Sequence, residues 1–365
     1  MERAIWRACR MGDLDTIKIW PLCVLNRRVK GQTLVYIASK YGNLELLHWL
    51  SDQGLNLSTS NERNITPFNA AIKHGHLMVA QFLHSKGVDL NEADVNLNTP
   101  FLYACMRGHE GCARWLHQIG ADITRANRDD EDALVLACRF AHLQLADWLV
   151  SVHPFPAQRY LVIMHTACVL GHLSVTKWVG AVGQEYLHCA NPLYHACKNG
   201  NLAVAQWLVQ EGASVHVTTN GQTPFYAATT TYHMEVMVWL HSVGASITAP
   251  DPQGFTPLQR VCTMQLSYND RFYFFYYAVW LILNGAVSNR QGYISKAALR
   301  KQVGKGQKFV LENIERLLEE TARYVRALMR VRGRLPDDVV GHIADYVGLL
   351  RGRKLRNARQ TLVYI

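Results

Sequence analysis

An all-α solenoid, one helix–turn–helix unit copied along the chain, is what this sequence predicts, and three recurrences predict it. The first is an aromatic-aliphatic pair at Trp49-Leu50, Phe82-Leu83, Trp115-Leu116, Trp148-Leu149, Trp178-Val179, Trp207-Leu208, Trp239-Leu240 and Trp280-Leu281, at steps of 33, 33, 33, 30, 29, 32 and 41 residues. The second is a Thr-Pro start at Thr66-Pro67, Thr99-Pro100, Thr223-Pro224 and Thr256-Pro257. The third is glycine at two fixed places, in Gly75-His76 or Gly108-His109 and again in Gly87-Val88-Asp89 or Gly120-Ala121-Asp122. A supersecondary unit repeated at such a period buries its apolar face only against its neighbours.

Each element follows from its residues. Thr caps an orphan N–H at a helix start, and Pro at the first helical position has no N–H to leave unpaired. Small residues follow, as in Ala71-Ile72, Ala104-Cys105 and Ala137-Cys138, and let first helices approach closely. Glycine in Gly75-His76, Gly108-His109, Gly171-His172 and Gly200-Asn201 (alanine in Ala141-His142) ends that helix at a left-handed cap. A second helix carries the aromatic-aliphatic pair, and Gly-Ala/Val-Asp/Ser closes the unit.

These motifs, recurring in one order from about Ile5 to Gly285, resemble ankyrin repeats, about nine of them with a degenerate first copy. The resemblance implies an all-α ankyrin-repeat solenoid with a C-terminal helical cap, a protein-binding module rather than an enzyme. Units around Glu131–Val152 and Tyr160–Val179 lack the Thr-Pro start, and Val152–Arg159 is expected to bend or locally interrupt the stack.

Histidine and cysteine follow the repeat. His76, His109, His142, His172 and His233 share the slot after the glycine, where a side chain can bond turn backbone; His84, His117 and His241 share another. Cys9, Cys105, Cys138, Cys168, Cys197 and Cys262 share a core slot whose copies, about 8–10 Å apart between stacked helices, are too far apart for the Cα separation of about 7 Å that a disulfide tolerates. A reduced core role is expected, with no metal and no cofactor. No His-Glu-x-x-His, Gly-x-Ser-x-Gly or phosphate-loop pattern marks a catalytic site. The most hydrophobic run, Phe272–Leu283, has 12 residues, against the roughly 20 that span a bilayer. Met1–Asp15 is charged and lacks a signal-peptide core, so a soluble monomer is expected, in the cytoplasm or alternatively the nucleus.

In an ankyrin array, hairpin tips form fingers and first helices form a palm. Tips here include Arg28 and Lys30, Asn61–Asn64, Arg128–Glu131 and Asp251–Gly254. At the ends of the first helices one slot reads Arg10, Lys40, Lys73, Met106 (with Arg107 beside it), Arg139, Val169, Lys198 and Thr230. Arg28, Lys30, Lys40, Lys73, Arg107, Arg139 and Lys198 are therefore candidate partner-binding residues. Two readings stay open: a stripe for an acidic peptide, or cations favoured by the helix dipole.

The last interval is long because Met264–Ala278 inserts Tyr268, Phe272, Tyr273, Phe274, Phe275, Tyr276 and Tyr277, an expected seam against the C-terminal helices. Three domains follow: the array 1–290, an amphipathic cap 291–334 built on Val310, Ile314, Leu317, Leu318, Val325 and Leu328, and a tail 335–365. Of the net charge of +10, residues 291–365 carry +9, from 16 Lys and Arg against 7 Asp and Glu.

The tail opens with Leu335-Pro336-Asp337-Asp338-Val339-Val340-Gly341-His342-Ile343-Ala344-Asp345-Tyr346-Val347. It resembles the start of an F-box, and in its truncation after ankyrin repeats it is similar to the ends of poxvirus ankyrin proteins. A suppressor-of-cytokine-signalling box fits less well, its Leu-Cys element being absent. The resemblance implies docking of a Skp-type adaptor of a cullin ubiquitin ligase by Leu335, Pro336, Val339, Val340, Ile343 and Val347; a plain capping helix is the other reading. The finish, Arg351–Arg359, could address nucleus or anionic membrane or be a solvated tail. It lacks the spaced aromatics that stack bases, so nucleic acid is not an expected partner.

Overall fold

The computed structural model describes residues 2–21, 25, 28, 31–187, 191–263, 277, 280, 281, 284 and 286. Among them every regular element is helical, and an isolated bridge joins Thr219 to Gln222. The helices pair repeat by repeat. They are α1 Glu2–Met11 with α2 Leu14–Lys18, α3 Leu34–Tyr41 with α4 Leu44–Asp52, and α5 Pro67–Lys73 with α6 Leu77–Ser85. Next come α7 Pro100–Arg107 with α8 Glu110–Gln118, α9 Ala133–Arg139 with α10 Leu143–Val152, and α11 Ala157–Leu170 with α12 Leu173–Val182 and a 3-10 turn, Gln184–Leu187. Then α13 Pro192–Lys198 pairs with α14 Leu202–Gln210, α15 Pro224–Thr230 pairs with α16 Met234–Ser242, and α17 Pro257–Thr263 opens the ninth repeat. The described residues divide into two compact bodies: those up to Ala167 with Ser174–Tyr186, and Cys168–Leu173 with those from Leu187 onward. The domain boundaries expected at 290 and 334 lie outside the described residues, as does the amphipathic cap.

Helices of seven to nine residues are too short to hold themselves together, so caps and burial do the work. Thr33, Thr66, Thr99 and Thr223 each accept the N–H of the third residue onward, at 3.1 to 3.3 Å. Thr256 goes further: its hydroxyl accepts from the Gln259 N–H at 3.3 Å while Gln259 Oε1 accepts the Thr256 N–H at 2.8 Å, a reciprocal capping box. Where the fifth repeat lacks Thr-Pro, Asp132 supplies the cap at 3.0 Å.

The two helices of a repeat bury different surfaces. In α5, α7, α9 and α15 six consecutive residues are buried, the pattern of a helix enclosed on all sides. Stacking explains it: α1 packs on α3, α3 on α5, α5 on α7 and α7 on α9 in the first body, and α13 on α15 and α15 on α17 in the second. Second helices bury only a stripe, Val79, Ala80 and Leu83 in α6 and Cys112, Ala113 and Leu116 in α8. The leucine of each aromatic-aliphatic pair is thus core, its burial worth about 2 kcal/mol, while the aromatic reaches the preceding repeat. Trp115 lies 6.3 Å from Phe68 and edge-on to His84, and Trp148 lies 6.4 Å from Phe101 and edge-on to His117. Cys9, Cys105, Cys112, Cys138, Cys168 and Cys197 are buried, and burial pushes Cys9 up to about 12 and Cys112 to about 11.

The slot after the glycine joins repeats together. His76 Nε2 lies 3.0 Å from the Lys40 carbonyl and His109 Nε2 3.2 Å from that of Lys73. Asparagine does the same elsewhere: Asn43 Nδ2 donates to the Cys9 carbonyl at 2.5 Å, and Asn201 Nδ2 to those of Cys168 and Val169 at 2.8 and 2.9 Å. Carbonyls only accept, so Nε2 carries the imidazole proton. Each side chain satisfies carbonyls that the preceding first helix leaves open at its end. The glycine is needed twice over. It takes φ of 76° at Gly42 and Gly75 and 69° at Gly108, and a Cβ there would lie 2.6, 2.8 and 2.5 Å from a ring atom of His76, His109 and His142.

The irregular stretch before α11 is held by one arginine. Arg159 Nη1 and Nη2 reach Asp130 Oδ2 and Oδ1 at 2.8 and 3.1 Å, Nη1 also donates to the Asp130 carbonyl, and Nε lies 2.9 Å from Asp132 Oδ2. A longer helix of 14 residues, α11, follows in place of a hairpin tip. Burial holds the Asp132 carboxyl above its ordinary value, although the N–H groups of its cap and Arg159 pull the other way.

Gly108→Ala is expected to lower stability by about 1–3 kcal/mol, measured by urea unfolding. Arg159→Ala leaves Asp132 buried without its counter-charge and is expected to cost about 2–3 kcal/mol near neutral pH, the figure for breaking a buried pair discounted for the arginine's partial exposure. A folded-state pKa raised above the unfolded one contributes stability below the unfolded value and loses it as pH rises through the folded value. The deficit of Arg159→Ala therefore shrinks on acidification, which urea midpoints at neutral and mildly acidic pH will read.

Candidate functional site

The last turns of α3, α5 and α7 carry Lys40, Lys73 and Arg107. The three helices stack in sequence, and the tip before α5 adds Arg63. Burial lowers the Lys73 pKa, and the charges of Arg107, Arg63 and Lys40 lower it further, against the pull of Asp94. Lys73 Nζ sits 4.6 Å from the centroid of the Tyr103 ring. Tyr103 is buried, and its hydroxyl donates to Asp94 Oδ2 at 2.6 Å, which with burial raises its own pKa. Asp94 has little left to offer a cation: it also accepts the Asn96 and Asn98 N–H groups at 2.9 and 2.8 Å and Asn98 Nδ2 at 3.2 Å. Among the described residues Lys40, Arg63, Lys73 and Arg107 form no ion pair. His74, on the same helix end, is pushed down to about 4, by desolvation first and then by Lys40, His76, Lys73 and Arg107.

The structure thus draws together three of the seven array candidates, Lys40, Lys73 and Arg107. Arg139 occupies the same slot one repeat later but donates to Glu131. Arg28 is exposed and donates to the Gly31 carbonyl at 3.1 Å. Lys198 is exposed at the end of α13 in the second body. Lys30 lies outside the described residues, and so do Leu335, Pro336, Val339, Val340, Ile343 and Val347 and the aromatic insertion apart from Tyr277. That tyrosine is buried, donates to the Tyr232 carbonyl and meets the Tyr232 ring edge-on.

Between second and first helices four tips, before α5, α7, α9 and α17, are the same five-residue hairpin. Asn61, Asp94, Asn127 and Asp251 each hold two backbone N–H groups with one side-chain oxygen. Three residues on, the chain turns left-handed at Asn64, Leu97, Asp130 and Gly254, with φ of 55°, 62°, 59° and 83°. Neighbouring tips bond to one another, the Val95 N–H to the Arg63 carbonyl at 3.2 Å and the Arg128 N–H to the Asn96 carbonyl at 2.9 Å. Leu97 is the exception to the chemistry of this position. Asn, Asp and Gly tolerate it, whereas a bulky side chain costs about 1–2 kcal/mol, and Leu97 is nonetheless 51% exposed beside Val95 at 45%.

Family models of ankyrin repeats match residues 34–84, 68–117 and 102–150 as many copies and residues 193–270 as three, together more than half of the chain. This chain is an ankyrin-repeat protein. No curated protein matches it as a relative. In an ankyrin-repeat protein the stacked cations are palm residues and the Leu97 tip a finger, and the partner of such an array is another protein. Arg63 lies in a tip named from the sequence but, like Tyr103, Asp94 and Leu97, was not among the candidate partner-binding residues. The signal for Leu97 was present, since positions 31, 64, 97 and 130 read Gly, Asn, Leu and Asp at a constant interval of 33. Among the described residues no three of His, Cys, Asp or Glu form a metal-ligand group.

The depressed His74 predicts its own titration. A histidine whose folded pKa lies below its unfolded value binds its proton less readily when folded, so this contribution to stability is complete above the ordinary histidine pKa and is lost as pH falls through the depressed one. Proton resonances of His74 are expected to titrate with a midpoint near 4, and in Lys73→Ala the midpoint is expected to rise.

Proposed function

We propose that this ankyrin-repeat protein is a non-enzymatic substrate receptor, whose array holds a protein partner and whose tail links that partner to a cullin ubiquitin ligase. The observation that carries the binding role is the cluster of Lys40, Arg63, Lys73 and Arg107, which keeps four positive charges at neighbouring first-helix ends and tips without an ion pair among the described residues. Folding gains nothing from that repulsion, whereas an incoming anionic surface gains from all four. The ligase role rests on Leu335–Val347. Pro336 followed by Asp337 and Asp338 suits a helix start, and the sequence spacing of Val339, Val340, Ile343 and Val347 is that of one apolar helix face, as a Skp-type adaptor would require. A cytoplasmic address suits this reading, with the nucleus as the alternative.

A second reading has its own observation. Residues 291–365 carry +9 of the net +10, which favours a scaffold directed by its basic end to nucleus or anionic membrane with no ligase role.

Titration calorimetry of the full chain with a Skp-type adaptor separates the two. Micromolar or tighter binding, worth about −8 kcal/mol, that is lost in Ile343→Asp/Val347→Asp supports the receptor. No binding, together with salt-sensitive association with anionic vesicles that disappears on trimming Arg351–Arg359, supports the scaffold.

A further inference from the structure

We propose that the surface formed by Lys40, Arg63, Lys73 and Arg107 together with the Val95–Leu97 tip binds an acidic protein segment that carries an aliphatic side chain among its carboxylates. This rests on the reading of the array as a protein-binding module and specifies the chemistry of its partner.

The two halves of the surface are built as one. Asp94 opens the hairpin tip, and its carboxylate takes the Tyr103 hydroxyl at 2.6 Å. The Tyr103 ring in turn carries Lys73 Nζ at 4.6 Å. The Val95 N–H bonds to the Arg63 carbonyl at 3.2 Å, tying the apolar tip to the backbone of the fourth cation. Val95 and Leu97 therefore stand next to the charges, held there by a chain of buried or backbone contacts. Leu97 holds its place at a position where its neighbours one repeat away are Asn64 and Asp130 and where leucine is strained. Strain at an exposed apolar side chain is accounted for by a contact made outside the folded chain. The cations account for the other half of the ligand. Lys73 and Arg107 have no carboxylate partner among the described residues, and the one acid that acts on Lys73, Asp94, is already saturated by four hydrogen bonds.

Nucleic acid fits this surface less well. Its backbone carries no apolar group for Leu97, the ring beneath Lys73, Tyr103, is buried and closed to base stacking, and Asp94 faces the same region. An anionic bilayer would ask for a broad basic face, whereas the cations here sit beside a narrow tip.

The test is fluorescence anisotropy of the full chain with a short labelled peptide of glutamates around a central pair of leucines. Controls are the same peptide with lysine for glutamate, an all-glutamate peptide, oligothymidylate and phosphatidylserine vesicles. Binding is expected to be about tenfold or more tighter than to the lysine peptide and to weaken steeply with salt. Lys73→Glu is expected to lose about tenfold in affinity. Leu97→Asn relieves the left-handed position, so its melting temperature is expected to rise while affinity falls about threefold or more, to that of the all-glutamate peptide. A purely structural Leu97 would raise the melting temperature and leave affinity unchanged. Equal binding of the lysine peptide, unchanged affinity in both variants, or equally tight binding of oligothymidylate or vesicles overturns the proposal. Failure here is distinct from failure of the array reading. A protein partner that crosslinks to other repeats while the peptides do not bind leaves that reading standing, and the adaptor titration does not touch this surface.

Discussion

The bond from a histidine or asparagine at the start of one repeat's second helix to the last carbonyls of the preceding first helix is the contact on which the rest of the structure depends. First helices of seven or eight residues leave half their carbonyls unpaired, and burying them on all sides removes water as a partner. His76, His109, Asn43 and Asn201 close that gap from the next repeat. No repeat can complete its own first helix, so stability is a property of neighbours. The left-handed glycines belong to the same device, because the room a side chain would fill is the room the next imidazole occupies.

Much of this was legible from residues alone. The period, the threonine caps and the left-handed glycines each follow from local rules about orphan donors and positive φ, and local rules survive any tertiary context. The histidine slot was legible as backbone-bonding but not as a bond between repeats, since a side chain's partner across 36 residues of chain depends on how helices stack. The sequence shows the loss of Thr-Pro in the fifth repeat but not what replaces it: Asp132 caps in its place, and Arg159 then neutralises the carboxylate that this substitution buries. The helix-end cations were legible as a slot but not as a set. Arg139 and Lys73 occupy equivalent positions, and only the structure shows one paired to Glu131 and the other resting on Tyr103.

That difference divides the charged surface into two kinds. At Arg139–Glu131 and Arg159–Asp130–Asp132 opposite charges meet within the fold, and the electrostatics are satisfied internally. From Lys40 to Arg107 like charges accumulate, and the carboxylate nearest to them is consumed by a tyrosine hydroxyl and two backbone N–H groups. Asp94 is in this sense the hinge of the arrangement: by serving the hairpin tip it leaves Lys73 uncompensated, and a local turn requirement becomes a surface property.

The bonds between neighbouring tips have a metrical consequence. Because the Val95 N–H is fixed to the Arg63 carbonyl and the Arg128 N–H to the Asn96 carbonyl, and because the Asp130 carbonyl is claimed by Arg159 in the following repeat, successive fingers in this stretch cannot spread or close independently. Their separation is set by helix packing, about 8–10 Å for each step. The tips from Arg63 to Asp130 therefore behave as graduations on a ruler. On the proposed reading a partner segment is matched to that interval, and one whose contacts recur at another spacing meets only some of the tips.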